Sequence, residues 1–356
     1  MPSLLELQRI VESEFPVEAV VYEFGIPCFV VSLIRPPKEP FQRLVAKLKP
    51  YNLMPILRRG LYGEALIRIV QKPIRKRGIR HLPLMLFAAT CVTIFISGYF
   101  NSIVWSFLFK ENIYLHASFF TVALLAIVGL HELGHKAAAK LRGVEATVPY
   151  FIPGPPFPIG LGTLGAVIMQ KEPPVNRDQL FDIGFSGPLT GFIVTIIISI
   201  LAVHTAKVLD PALEAQLAAQ GFALLSLPSS LAWRMIVQLL MPGVESYELI
   251  IPPIGLAAWV GFLITYLNLL PAWQLDGGHI ARAMFGERGH QIASFIGIMI
   301  AFLTGFWFFG FLILFLMRHR PIGPLDDISP LSKWRKIVGF LAYAILALSA
   351  IVIPMW

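Results

Sequence analysis

The chain has 356 residues, of which 56% are hydrophobic and 14% charged, and its mean hydropathy is +0.71. Soluble domains carry about 25% charged residues, so this composition excludes an ordinary soluble domain and predicts a polytopic α-helical protein in the lipid bilayer. The net charge of +8 does not indicate nucleic-acid binding, because the basic residues cluster beside apolar segments, where they orient membrane spans. The two cysteines, Cys28 and Cys91, make no disulfide framework.

Residues 1–80 predict a small soluble α+β domain. Residues 1–13 are polar and amphipathic and lack the apolar core of a signal peptide, so we expect this domain in the cytoplasm. The domain carries no catalytic grouping. It can have an active role in regulation, docking or substrate filtering, or it can be a passive stabilising unit, and both alternatives stay open. Its hydrophobic spacing predicts helices over residues 4–11 and 39–48 and strands over residues 17–24, 28–33, 54–59 and 64–70.

Residues 81–356 predict a transmembrane domain with about six membrane-spanning helices. The basic run over residues 72–80 precedes the first span and is expected on the cytoplasmic side, because positive residues favour that side. Alternation returns the second span to the cytoplasm but conflicts with the basic residues near the last two spans. Either the positive-inside rule yields to the strong early signals, or residues 291–317, broken by Gly305, do not cross once, so the topology of residues 291–356 stays open. The predicted spans are residues 82–108, 115–141, 182–208, 254–275, 293–317 and 337–353.

The second predicted span ends in the motif His131-Glu132-Leu133-Gly134-His135. On a helix, two histidines four residues apart project from one face, so both imidazoles can bind one metal ion. Glu132 lies one position along and can act as the base for a metal-bound water. A carboxylate and two imidazoles in an apolar span are costly unless they are paired or bound to metal, which favours a metal site over a chance match.

A third protein ligand would complete an open tetrahedral zinc site. A metzincin would have glycine three residues and histidine six residues after His135, which this chain lacks, so that class is excluded. The downstream acids Glu145 and Glu172 lie in a predicted loop and not on an apolar helix. Asp276, at the cytoplasmic end of the fourth predicted span, is expected at the same depth as His131 and His135. It is therefore the best candidate for the third ligand.

Residues 143–181 connect the second and third predicted spans. Their seven prolines exclude a spanning helix, so we expect a re-entrant loop or a cytoplasmic hairpin. A β-like piece over residues 161–170 can add an extended substrate as a further strand, or it can be an ordinary connection, and the sequence leaves both open. The third span then begins with small residues at 184–191, whose spacing favours close packing of helices.

A second motif, Asn268-Leu269-Leu270-Pro271-Ala272-Trp273-Gln274-Leu275-Asp276-Gly277-Gly278-His279, ends the fourth predicted span. Its proline and glycine pair interrupt the helix and are expected to aim Asp276 inward. In this order and in apolar spans, the two motifs resemble the paired signatures of the site-2 protease family, whose members are intramembrane zinc metalloproteases. The resemblance covers about residues 115–290, and residues 162–166 with Gly187-Pro188 further resemble the archaeal, cyanobacterial and plastid branch, which carries an N-terminal extension.

The resemblance implies a three-helix catalytic core that binds one catalytic zinc ion. By position in the motifs, the ligands are His131, His135 and Asp276, the catalytic base is Glu132, and Asn268 assists the reacting carbonyl. Two departures from the wider family concern regulation. Residues 206–250 are too few for a PDZ domain, and no pair of CBS domains is expected after the last span.

These features predict an intramembrane zinc metalloendopeptidase that cleaves the transmembrane or juxtamembrane segment of a membrane-anchored protein, as in regulated intramembrane proteolysis. Its active site is expected towards the cytoplasmic side. Three alternatives stay open: a membrane zincin of the prenyl-protein type, which would need a glutamate ligand on a later helix, an inactive relative acting as a scaffold, and a zinc-handling membrane protein. The sequence does not specify the substrate or the oligomeric state.

Overall fold

The structure is a computed structural model with side chains. It describes residues 2–23, 25–33, 36–60, 62–72, 79–209, 211–219, 227–243, 248–318 and 323–353.

The N-terminal unit, residues 2–72, is a small α+β fold. Its four strands form one antiparallel sheet in the order β1-β2-β4-β3. The two helices cover one face of the sheet around a core of buried aromatic and aliphatic side chains that includes Phe15, Phe29 and Phe41. The prediction of an α+β fold is thus confirmed, although Phe24 lies outside the described residues. The elements are α1 (Leu4–Glu12), β1 (Val17–Glu23), β2 (Ile26–Val31), α2 (Lys38–Leu48), β3 (Leu53–Arg59) and β4 (Ala65–Gln71).

Three described helices are long and apolar enough to cross a membrane. They are α3 (Leu82–Phe109), α4 (Ile113–Leu141) and α5 (Arg177–Thr205), and they correspond to the first three predicted spans. The side chain of Asn112 begins α4 by accepting hydrogen bonds from two backbone N–H groups of its first turn. Most of the predicted basic run that precedes α3, residues 73–78, lies outside the described residues.

A two-stranded antiparallel hairpin lies between α4 and α5. It consists of β5 (Tyr150–Pro153) and β6 (Thr163–Val167), so the predicted β-like piece does contain a strand. The Thr93 hydroxyl of α3 donates to the Gly162 carbonyl at 2.6 Å, and the Phe157 N–H donates to the Ser97 hydroxyl at 3.0 Å. Both partners lie in the middle third of α3, which favours the re-entrant alternative over a hairpin outside the membrane.

The segment after α5 contains short elements only in its described part. A small antiparallel pair joins β7 (Lys207–Leu209) to β8 (Glu248–Ile250), with α6 (Pro211–Ala219) and the amphipathic α7 (Leu231–Leu240) between them. Residues 220–226 and 244–247 lie outside the described residues.

The second half of the chain differs from the prediction of three further single spans. The fourth predicted span is the 17-residue helix α8 (Pro253–Leu269), which ends before Pro271 because proline cannot continue a helix. The fifth, residues 293–317, is wrong as one helix, since Gly305 at φ +87° separates α9 (Asp276–Leu303) from α10 (Trp307–Leu316). The sixth corresponds to α11 (Lys333–Ser349), which also has 17 residues.

Helix α9 consists of two segments. Gly286 interrupts it with φ +73° and ψ −167°, so its first segment runs only from Asp276 to Phe285. This segment packs against α5 and follows directly on the loop after α8. The short segment is therefore the element that carries Asp276.

Glycines bring α4 and α5 into close contact, as the small residues at 184–191 predict. A Cβ on Gly134 would lie 2.7 Å from the Ser186 carbonyl oxygen of α5. In the other direction, a Cβ on Gly187 would overlap the imidazole of His135, and one on Gly191 would lie 3.0 Å from Nδ1 of His131. The helices can thus approach so closely that both imidazoles lie directly against the backbone of α5.

Candidate metal centre

Three polar side chains of α4 are buried among apolar neighbours. His131 is 3% exposed, Glu132 8% and His135 7%. The two histidines lie one helical turn apart, and their Nε2 atoms are 3.1 Å from each other. Burial of these groups without compensation is unfavourable, so their convergence indicates a shared partner.

The Asp276 carboxylate joins this pair, although it lies 141 positions after His135 in the chain. Its Oδ2 is 3.2 Å from Nε2 of His131 and 3.3 Å from Nε2 of His135. Glycines allow this placement: a Cβ on Gly277 would overlap the carbonyl of Leu269, so only glycine lets α9 start this close to the end of α8. The structure therefore brings together the three side chains that the sequence predicts as metal ligands.

The geometry of the three ligand atoms fits a zinc ion. They form a nearly equilateral triangle with edges of 3.1, 3.2 and 3.3 Å. Zinc binds imidazole nitrogen and carboxylate oxygen at about 2.0–2.1 Å, and a tetrahedron of that radius has edges of about 3.3 Å. Two imidazoles and one carboxylate would fill three corners and leave the fourth open, as catalytic zinc sites do.

Glu132 is a rival for the third ligand position. One ligand atom each from His131, Glu132 and His135 lie within 4.8 Å of one another, so Glu132 also borders the centre. The Asp276 carboxylate is closer, with both of its distances to the imidazoles at 3.3 Å or less. Asp276 therefore fits the ligand position, and Glu132 lies beside it with a carboxylate available for another role.

A main-chain carbonyl orients the His135 imidazole. Nδ1 of His135 is 2.6 Å from the Ile183 carbonyl oxygen on α5. A carbonyl only accepts hydrogen bonds, so Nδ1 must carry the proton and Nε2 must present its lone pair to the centre. The sequence could not reveal this contact, since every residue has a carbonyl. Nδ1 of His131 has no hydrogen-bond partner among the described residues and faces the backbone at Gly191.

A cavity of roughly 280 Å³ opens onto the three ligand atoms. Strand β6 and the residues after it, including Ile168, line this cavity together with Glu132. Asn268 lines the same cavity, and its Nδ2 is 3.5 Å from Nε2 of His131. The cavity thus brings Asn268 and Glu132 to the ligand atoms together with residues of β6.

Three further polar side chains, Gln170, Gln274 and His279, line the same cavity, and no role was predicted for them from the sequence. His279 follows Asp276 by three residues at the start of α9, so helical spacing puts both on one face and could have identified it. Gln274 lies in the irregular loop before α9, where no periodicity applies.

Comparison with known proteins agrees with these features. The model of Peptidase family M50 matches residues 119–312, which is more than half of the chain and includes both motifs. The chain is 30% identical over 213 residues to the probable zinc metalloprotease EGY2, chloroplastic, of Oryza sativa subsp. japonica, which is 57% of this chain and 36% of that protein. It is 27% identical over 244 residues to the probable zinc metalloprotease EGY1, chloroplastic, of Arabidopsis thaliana, 65% of this chain and 42% of that protein.

The chain spans less than half the length of these curated relatives. No solved structure matches it at a significant level. The names of the relatives specify zinc, the metal that the ligand triangle fits, and the matched family confirms the resemblance found in the two motifs. This chain belongs to peptidase family M50, the site-2 protease family.

Proposed function

We propose that this protein is an intramembrane zinc metalloendopeptidase that cleaves transmembrane or juxtamembrane segments of membrane-anchored proteins. The observation that carries the proposal is the triangle of His131, His135 and Asp276, which has the edges of a tetrahedral zinc site and lies in the apolar part of the chain. Membership in peptidase family M50 supports the same activity. Regulated intramembrane proteolysis is the process that such an activity would serve.

Zinc bound by these three side chains would act as a Lewis acid and lower the pKa of its bound water to about 7. The Glu132 carboxylate borders the ligand atoms and is in position to take the proton from the attacking water. The same group can then transfer that proton to the amine of the leaving peptide. Asn268, which also lines the cavity, has an amide that can donate to the oxyanion formed from the peptide carbonyl.

Strand β6 supports a proposal for how the substrate binds. Its residues line the cavity beside Glu132, and one of its edges pairs with β5. A substrate segment in a helix hides its carbonyls in intrahelical hydrogen bonds, so it must unwind before hydrolysis. If the unwound substrate were added as a strand on β6, its freed backbone groups would form hydrogen bonds with β6. The peptide would then be held extended across the metal centre.

The charge distribution supports an active site towards the cytoplasmic side. Lys136, Lys140 and Arg142 follow the motif within two turns at the end of α4, and positive residues favour the cytoplasmic side of a span. The N-terminal unit contacts the same end of the helices, since Lys38 pairs with Asp178 at the start of α5 at 2.8 Å. This arrangement would allow cleavage products to leave into the cytoplasm.

The test is cleavage of a single-span model substrate by the full chain, with Glu132→Gln as the inactive variant. Glutamine keeps the shape of glutamate but cannot accept the proton, so we expect zinc to remain bound and cleavage to fall at least a hundredfold. Glu145→Gln is the matched control, because Glu145 is an exposed partner of Lys171 outside the cavity and should leave cleavage unchanged. Full activity of Glu132→Gln would refute the mechanism, and zinc binding without any cleavage by the wild type would favour the scaffold or zinc-handling alternative.

A further inference from the structure

Residues 323–332 connect α10 with α11, and we call them the strap. The strap lies on the edge of the N-terminal sheet at β3, where the Leu57 N–H donates to the Leu325 carbonyl at 2.9 Å and Leu57 forms a parallel bridge with Asp326. The Leu325 side chain is 5% exposed and belongs to the same buried cluster as Phe15 and Phe29. The core of the N-terminal unit is thus completed by a residue from the other end of the chain.

Arg58, the neighbour of Leu57 on β3, also binds the strap. Its guanidinium donates to the Pro324 carbonyl at 2.7 Å and to the Leu325 carbonyl at 2.8 Å. Such a pair of charge-assisted hydrogen bonds fixes the main chain at two adjacent residues. The side chain of the next residue, Arg59, is exposed and donates to the Gly63 carbonyl of its own hairpin at 3.3 Å.

The other side of the strap contacts the helix that carries Asp276. Oδ2 of Asp327 accepts from Nη2 of Arg282 at 2.6 Å, and Oδ1 of Asp327 accepts from Nε of Arg177 at 3.2 Å. Asp327 is 8% exposed and Arg282 6%, so the first pair is buried. Removing one partner of a buried ion pair leaves an uncompensated charge, which makes such a contact a strong positional constraint.

Arg282 follows Asp276 by six residues within the first segment of α9, about 9 Å along the helix axis. The segment ends at Gly286, where a Cβ would lie 2.8 Å from Nη2 of Arg177. Similarly, a Cβ on Gly323 of the strap would lie 2.9 Å from Nη2 of Arg282. Both glycines thus give the guanidinium groups room, and the segment is held at one end beside the ligand triangle and at the other by the strap.

We propose that the N-terminal unit and the strap together position the metal centre: Arg58 fixes the strap, and Asp327 of the strap fixes, through Arg282, the helical segment that presents Asp276. Arg58, Asp327 and Arg282 are positioning residues, since their hydrogen bonds and ion pairs within the described part of the chain do not reach the ligand atoms. The inference rests on the proposed role of Asp276 as a zinc ligand. It favours an active role of the N-terminal unit in positioning the metal centre over a role in passive stabilisation.

The experiment measures zinc affinity of the full chain in detergent, by competition with a chromophoric zinc chelator, for four variants. Arg282→Gln should weaken zinc binding about tenfold and Arg58→Ala about threefold to tenfold, the range found for residues that couple distant sites. Arg282→Lys keeps the charge that faces Asp327 and should recover part of the loss. Arg59→Ala, which removes the same type of side chain one position along, should bind zinc like the wild type.

Thermal unfolding of the zinc-free variants accompanies the affinity measurement. A merely structural role of Arg58 would lower the unfolding temperature and leave the zinc affinity of the folded protein unchanged, and that outcome would overturn the inference. Equal losses of affinity in Arg58→Ala and Arg59→Ala would overturn it as well, because the effect would not depend on the strap. A wild type that takes up no zinc would instead refute the proposed function, so the two failures are distinguishable.

Discussion

The His290 imidazole, on the second segment of α9, donates from Nε2 to the Trp273 carbonyl at 2.9 Å. The Trp273 N–H in turn donates to the Ser294 hydroxyl at 3.0 Å, so both main-chain groups of Trp273 are held by one helix face. Trp273 has φ +46°, a left-handed conformation that costs a side chain other than glycine about 1 kcal/mol or more. The two hydrogen bonds therefore stabilise a strained loop midway between Asn268 and Asp276.

His290→Phe should destabilise this loop. The Trp273 carbonyl would lose the hydrogen bond from His290 at a partly buried position, which costs about 0.5–1.5 kcal/mol of unfolding free energy. We also expect slower cleavage of a model substrate, because Asn268 and Asp276 flank the loop. Denaturant unfolding and initial cleavage rates measure the two effects, and His290→Gln, which retains an N–H donor, should lose less of both. Equal behaviour of the two variants would contradict the role of the hydrogen bond.

Removal of any of the three ligands should release zinc. His131→Ala, His135→Ala and Asp276→Ala each leave two protein ligands, too few for a tight catalytic site. We expect metal analysis of the purified protein to fall from about one zinc ion per chain to near zero in all three variants. Glu132→Ala is the decisive comparison, because retention of zinc in this variant separates its role from that of Asp276. Loss of zinc only in Glu132→Ala and the histidine variants would assign the third ligand to Glu132.

Gly187→Ala should displace the His135 imidazole. The added methyl group would overlap the ring, which is also held by the Ile183 carbonyl and therefore cannot move without losing that hydrogen bond. We expect zinc affinity to fall about tenfold to a hundredfold, the cost of disturbing the support of a metal ligand. Gly129→Ala on α4 is the milder control, since its methyl group would lie 3.3 Å from the Phe151 ring and away from the centre. Unchanged zinc affinity in Gly187→Ala would show that α5 can shift to make room.

Acid should weaken the N-terminal unit through Glu14. Burial raises the pKa of this carboxyl, but hydrogen bonds from Lys47 and Arg43 outweigh burial and hold the pKa below its ordinary value of 4.5. A group whose pKa is lowered by folding stabilises the fold above its unfolded pKa, and that stabilisation is lost as the pH falls through the folded value. The hydrogen-exchange protection factors of residues 4–48, which correct for the slower intrinsic exchange in acid, should therefore fall below about pH 4.5. Glu14→Gln should show a smaller change over this pH range, and an equally steep change would assign the acid sensitivity to other groups.

The convergence of the three candidate metal ligands was predictable because their signals are local or follow from alternation. Spacing of four residues puts His131 and His135 on one helix face, and counting spans puts Asp276 at the same depth. Interruption of the helix by Pro271 likewise follows from the chemistry of proline. The N-terminal elements were predictable for the same reason, since each strand and helix has its own periodicity.

The remaining contacts join residues that no local pattern relates. Arg58 and Leu325 are 267 positions apart, and neither an arginine on a strand nor a leucine in a loop indicates the other. The sequence left open whether Gly305 divides the fifth predicted span, because hydropathy does not distinguish one helix from two apolar pieces, and the left-handed conformation of Gly305 separates them. The main-chain acceptor for His135 is invisible in a sequence for a similar reason, since it depends on how α4 and α5 pack.

The position of the strap in the chain has a consequence for biosynthesis. A ribosome delivers residues 131–135 and Asp276 before it delivers residues 323–332, so every ligand is translated while the core of the N-terminal unit still lacks Leu325. By the inferred coupling, the first segment of α9 gains its anchor only after residues 323–332 have been translated. In a nascent chain the proposed zinc ligands would thus lack their final geometry until the strap has been made.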